Sequence, residues 1–180
     1  MAKKEEILNF WFKECKPEQW FKKNEDFDQM IENRFSSAIE NAIAGRLDSW
    51  EESETACLAL IILLDQFTRN VFRNTPRAFA GDKKAIALSQ LCCDKDYLTN
   101  PDVQRRQFML MPMMHSENLA VQDASLPLFK KYASKKDYEY AEKHREIIAR
   151  FGRFPHRNVI LGRKSTNEEQ EFLKQPGSSF

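Results

Sequence analysis

The run Ala56-Cys-Leu-Ala-Leu-Ile-Ile-Leu-Leu64 has no polar face at any helical register. A helix of this kind has to be enclosed on all sides by other elements, so the chain folds around it. Ser53 stands ahead of it as a helix cap. The run is far shorter than the ~20 residues needed to span a bilayer, so its surroundings must be protein. The neighbours can be read from spacing. Phe27, Met30, Ile31, Phe35, Ala38, Ile39, Ala42 and Ile43 recur at three- and four-residue intervals, which predicts a long amphipathic helix ending at Gly45. Tyr140, Ala141, His144, Ile147, Ile148 and Phe151 do the same ahead of Gly152.

Further helices are expected at Ile7–Phe12, from Pro76 through Leu91, and from Asn100-Pro101-Asp102 to Pro112, where a bend or break is predicted. Another follows His115-Ser116-Glu117, with Ser116 as its cap. Thr166 and Glu169 form a capping box for a last short one. No stretch alternates long enough to build a sheet. The chain has only 5 glycines and few β-branched residues, and its 14 phenylalanines imply an aromatic-rich core. The expected fold is all-α, antiparallel helical hairpins in one domain over residues 1–174, with 175–180 as a frayed tail.

Of the 180 residues, 42% are hydrophobic and 31% charged, for a net charge of +1. That balance argues against a dedicated nucleic-acid binder. The window from Lys143 to Lys164 is a local exception, with five arginines and two lysines against the single acid Glu146. Cys15, Cys57, Cys92 and Cys93 match no zinc spacing, and reduced thiols in the cytoplasm are the expectation. No leader or membrane span is read from the letters.

Three polar segments interrupt the apolar pattern. In the first, Asp65, Gln66, Arg69, Asn70 and Arg73 leave the enclosed helix at one-turn spacings. They can form an ion pair with cations at a helix end, or a polar wall at the mouth of the core. The second is His115-Ser116-Glu117. Serine and glutamate there suit a helix start, whereas histidine and carboxylate suit proton exchange with a ligand. In the third, Arg150-Phe-Gly-Arg-Phe-Pro-His-Arg-Asn158 crowds Arg150, Arg153, His156, Arg157 and Asn158 around a helix stop. Guanidinium forks suit carboxylates and phosphates, although solvated arginines beside a glycine cap would need no ligand. His144 lies on the apolar side of its helix, as a core histidine or a ligand contact. A metal site built from His115, Glu117, His144 and Asp65 matches no established ligand spacing.

Taken together, Leu64-Asp-Gln-Phe-Thr-Arg-Asn-Val-Phe-Arg73, Pro112-Met-Met-His-Ser-Glu117, His144 and the Arg150–Asn158 run with Leu161-Gly-Arg163, Ser165, Thr166, Glu168 and Glu169 resemble a bacterial family known as domain of unknown function 924. The resemblance runs from about Ile7 to Leu173. It implies an all-helical, tetratricopeptide-like superhelical stack and brings no established activity. Thr68 stands where the family pattern usually has proline, and Leu110 where tyrosine is common.

The functional expectation is a small anionic ligand, a phosphate or a carboxylate. Arg69, Arg73, Arg153 and Arg157 would hold it, with Gln66, Asn70, His144, Arg150 and Asn158 lining the site. His115 or His156 would move a proton, oriented by Glu117 or Asp65. The alternatives are a peptide-binding scaffold and RNA or nucleotide binding through residues 143–164. Cofactor and oligomeric state are left open.

Overall fold

Helix signals along the chain are honoured nearly everywhere, and side-chain caps explain most starts. The computed structural model describes residues 2–179. After α1 (Lys4–Asn9) a π-helical turn, Phe10–Glu14, carries Phe10 and Trp11 into the core. Pro17 opens α2 (Pro17–Trp20), and Asn24 caps α3 (Glu25–Ile43) by accepting from the Phe27 N–H. Ser53 caps α4 (Glu54–Ile61) in the same way through Ala56. As its composition requires, α4 is enclosed: Ala56 through Ile61 are all buried, and α1, α6 (Asp82–Asp94) and α7 (Val103–Met114) pack around it. No strand occurs among the described residues.

The core helix does not end at Ile61. It widens into a π-helical segment, Ile62–Phe67, and tightens again as α5 (Thr68–Val71). The wider turn matters because it holds Asp65 and Gln66 inside the core and not at its mouth; π-turns inside helices are often functional positions. Thr68 steadies the exit, its buried hydroxyl donating to the Leu64 carbonyl at 2.8 Å.

The helix expected from Pro76 is split in two. Pro76–Phe79 forms a 3₁₀ turn, and α6 starts at Asp82 after Gly81. A methyl group on Gly81 would lie 2.3 Å from the Leu64 carbonyl oxygen and 2.8 Å from the Leu64 Cβ. Only glycine lets the start of α6 sit this close to the π-segment. The expected break at Pro112 does not occur: α7 runs on to Met114 with Pro112 inside it, and α8 (Leu119–Tyr132) likewise contains Pro127. Burial of α7 from Gln107 to Met114 outweighs the lost hydrogen bond.

Two caps differ from the sequence reading. α7 is capped by the Asp102 side chain, with Pro101 left outside the helix, and α8 by Asn118 in place of Ser116. Glu117 therefore lies in the connection and not in a first helical turn. Ser134 and Asp137 form a capping box for α9 (Lys135–Phe151), which Gly152 ends at φ +68°. A 3₁₀ turn, Pro155–Arg157, and α10 (Asn167–Leu173) complete the chain. Helices α6 to α9 each pack on the next.

The main core is aromatic. Phe35 meets Phe10 and Phe67 at ring distances of 5.1 and 5.0 Å, and Trp11 meets Phe67 and Phe108 at 5.5 Å each. A second, small apolar cluster of Ile147, Ile148 and Phe154, with Phe151 and Phe172 against it, sits under the C-terminal segment. The end of the chain folds back: Ser178 is buried and its hydroxyl donates to the Leu173 carbonyl. No helix of the described residues is long and apolar enough to cross a membrane.

Candidate functional site

The π-segment delivers a fully buried carboxylate, Asp65, to the end of α7, where His115 is the last residue of the helical path. The His115 Nδ1 lies 2.8 and 3.0 Å from the two Asp65 oxygens. A carboxylate only accepts, so Nδ1 carries the proton and Nε2 is the nitrogen left to gain or lose one. The His115 side chain keeps 17% of its surface exposed, while that of Asp65 keeps 1%. The buried member thus orients the accessible one.

Asp65 has two further partners. Gln66 donates to its Oδ2 at 2.6 Å, and Arg69, one turn on, lies 3.1 Å from Oδ1 while also donating to the Asp65 carbonyl. Burial alone would raise the Asp65 pKa. The charges of Arg69 and His115, with hydrogen bonds from His115 and Gln66, outweigh it and hold the carboxyl below the ordinary range.

The network continues into α6. The other terminal nitrogen of Arg69 reaches Asp82, donating to Oδ2 at 3.1 Å; it also lies 3.0 Å from Oδ1, but without hydrogen-bond geometry. Here burial dominates and raises the Asp82 pKa despite Arg69. Arg157 also approaches Asp82, 3.5 Å from the same Oδ2, and donates to the His115 carbonyl at 3.1 Å. Its guanidinium is stacked between Phe79 and Phe154, 4.7 and 4.6 Å from the two ring centres. Arg157 is only 6% exposed, and its Nε has no hydrogen-bond partner among the described residues. Burial, then the like charge of Arg69, lowers its pKa to about 10. Two acids and two arginines therefore alternate, Asp65–Arg69–Asp82–Arg157, with His115 touching both ends.

His144 joins from α9. Its ring is 6.2 Å from that of His115 and 5.6 Å from Phe154, and its Nδ1–H donates to the Tyr140 carbonyl at 2.7 Å. Burial, then the nearby His115, lowers its pKa to about 3, so it is neutral. Burial and Arg157 lower His156 to about 4.

The remaining candidates are held in neighbouring networks. Glu117 accepts from both terminal nitrogens of Arg163 at 2.7 and 2.9 Å and from the Phe154 N–H at 2.7 Å. Asn158 is fully buried, donating to Ser165 and accepting from Arg163. Arg153 makes a forked pair with Glu169 at 2.7 and 2.8 Å, and Arg150 pairs with Glu168 at the surface. Asn70 and Arg73 turn away to Asp28 of α3, on the rim of a shallow cleft of about 270 Å³ that Lys23, Glu25 and Asn74 also line.

The five arginines of the 143–164 window each have a carboxylate partner: Asp123, Glu168, Glu169, Asp82 and Glu117. The local charge excess in the letters is thus balanced in space. Among the described residues, no group of three metal-type ligands is placed to hold an ion.

Asp82 and Phe79 escape a reading of the sequence alone. An acid after Gly81 at a helix start reads as a routine partner of the helix dipole, and nothing in its spacing shows that it faces Arg69.

With this geometry in view, a family model described as bacterial protein of unknown function matches residues 7–177. The chain belongs to this domain of unknown function 924 family. A solved structure of a protein of unknown function from Agrobacterium tumefaciens is similar to it, with 37% identity and a TM-score of 0.89 over 95% of this chain and 96% of that one. Among curated proteins, none matches this chain. The domain of unknown function 924 assignment carries the all-helical fold and no activity.

Proposed function

We propose that this protein binds a small anionic molecule, a carboxylate or a phosphate, against Arg157 and Arg69, and that His115 exchanges a proton with it. The observation that carries the reading is the Asp65–His115 pair: a buried carboxylate fixes an imidazole by one nitrogen and leaves the other for chemistry. Such a pair is costly to bury and needs a compensating role or partner. The guanidinium of Arg157, with an N–H that no described residue uses, lies beside the same histidine and is suited to an oxyanion. Of the arginines in the sequence motifs, Arg69 and Arg157 are the pair nearest this chemistry. Arg73, Arg150 and Arg153 act as structural ties.

A thermal-shift panel of inorganic phosphate, phosphorylated metabolites and di- and tricarboxylates tests this. An anion at about a hundred times its dissociation constant adds roughly 2.7 kcal/mol to wild-type stability. Arg157→Lys, which keeps the charge but loses the fork, removes most of that gain. His115→Gln keeps binding and loses any turnover. A panel that stabilises nothing, or that stabilises Arg157→Lys as well as the wild type, rules the reading out.

A further inference from the structure

The segment between Arg153 and Lys164 is built as a loop closed on itself. Arg153 donates to the Lys164 carbonyl at 3.0 Å and ties the two stems together. Inside it, the N–H groups of Arg157, Leu161 and Arg163 donate to the carbonyls of Phe154, Arg157 and Asn158, and Asn158 is buried within. A compact loop with joined ends and its own internal packing moves as a unit, and such loops are often functional. Glycines in the left-handed region mark both of its ends. Gly152 before it and Gly162 near its end have φ of +68° and +65°, with open space where a side chain would be. Its apolar anchor, Phe154, belongs to the small second cluster and not to the main core.

This loop covers the site. Phe154 lies on His144, Arg157 lies over Phe79 and on the His115 carbonyl, and both residues are nearly inaccessible. Arg153 ties it to Glu169, Arg157 to Asp82 and Phe154 to Ile147 and Ile148, but one side chain of the body joins its two ends. Glu117, in the α7–α8 connection, accepts from the Phe154 N–H at the loop's start and from the Arg163 guanidinium at its end. A single carboxylate thus grips both ends of the loop. A guanidinium as enclosed as Arg157 cannot take an incoming anion while the loop is down.

We infer that residues 153–164 are a lid over the His115–Arg157 site and that Glu117 is its latch. The inference rests on the anion-binding reading for its purpose, but its test does not need a ligand. Glu117→Gln keeps the shape of the latch and removes its charge. Hydrogen exchange should then speed up about tenfold at the amides of Phe154, Arg157, Asn158 and Arg163, with α7 and α8 unchanged. Carbethoxylation of His144 by diethyl pyrocarbonate, followed by mass spectrometry, should rise by a similar factor. Arg163→Gln, which breaks the same contact from the loop side, should reproduce both changes.

Exchange that stays at the wild-type rate in both variants overturns the lid. So does an equal acceleration across α7, α8 and α9, because Glu117 would then hold the fold and not a latch. Inorganic phosphate separates the two readings. If neither it nor any phosphorylated or carboxylate member of the panel stabilises the wild type while Glu117→Gln still opens the loop, anion binding falls and the lid stands. If phosphate binds but the loop ignores both substitutions, the lid falls and the anion site stands.

Discussion

His144 shows how a single side chain can set the acid limit of this protein. It is buried on α9 with its pKa lowered to about 3, whereas the unfolded chain presents an ordinary histidine near 6.5. The native state therefore binds fewer protons than the unfolded state between those values. The stability from the neutral form is complete above about pH 6.5 and is lost as pH falls toward 3. His156, lowered to about 4, acts in the same direction. Asp65, whose carboxyl is held below its usual range, adds its own loss only below about pH 4. The expected outcome is a fold that loses stability from about pH 6.5 downward. Urea unfolding at pH 7 and pH 5 measures it: His144 should account for about 2 kcal/mol of the difference. His144→Gln should remove that share of the pH dependence, whatever it does to stability at pH 7. A variant that keeps the full dependence would show that His144 is not the group responsible.

At the level of elements, periodicity located nearly every helix, because burial of one face is written directly in spacing. The enclosed run from Ala56 and the stops at Gly45 and Gly152 were legible for that reason. Joints were harder to read. Ser116 and Asn118 are both good caps, and only packing decides that Asn118 is used and Glu117 is freed to reach Arg163. The π-turn leaves no trace in spacing, since Ile62 to Leu64 continue the apolar run of α4 without a break. The close approach of α6 to Leu64 is invisible for a different reason: Gly81 has an ordinary backbone conformation, and its constraint comes from a contact distant in sequence. Its test is a pair of substitutions. Gly81→Ala should cost at least ~1–3 kcal/mol by overpacking, moving Asp82 off Arg69. Gly152→Ala meets no neighbour and should cost only ~1–2 kcal/mol of left-handed strain. Denaturant melts compare the two, and only the first should also alter binding at the site. Equal losses with the site intact would refute the spacer role of Gly81.

Across the whole molecule, two kinds of contact differ in reach. Helices α6 to α9 pack on their immediate successors, so much of the structure is joined by local pairings. The site is not. His115 is 50 residues from Asp65 and 42 from Arg157 along the chain, and Arg163 is 46 from Glu117. The letters could nominate these residues but could not show which would meet. Chain closure over such distances costs entropy that only the finished site repays. Asp65→Ala leaves Arg69 and His115 without their buried partner, a loss of the order of 3–5 kcal/mol. That loss should appear almost wholly as faster unfolding, with refolding in stopped-flow measurements nearly unchanged. An equal slowing of refolding would place the pair in the nucleus and contradict this order of events. The grip of Glu117 on both ends of its loop has a counterpart in time: the residues it joins lie 37 and 46 positions away along the chain, so the loop is fastened only once the helices on either side have met.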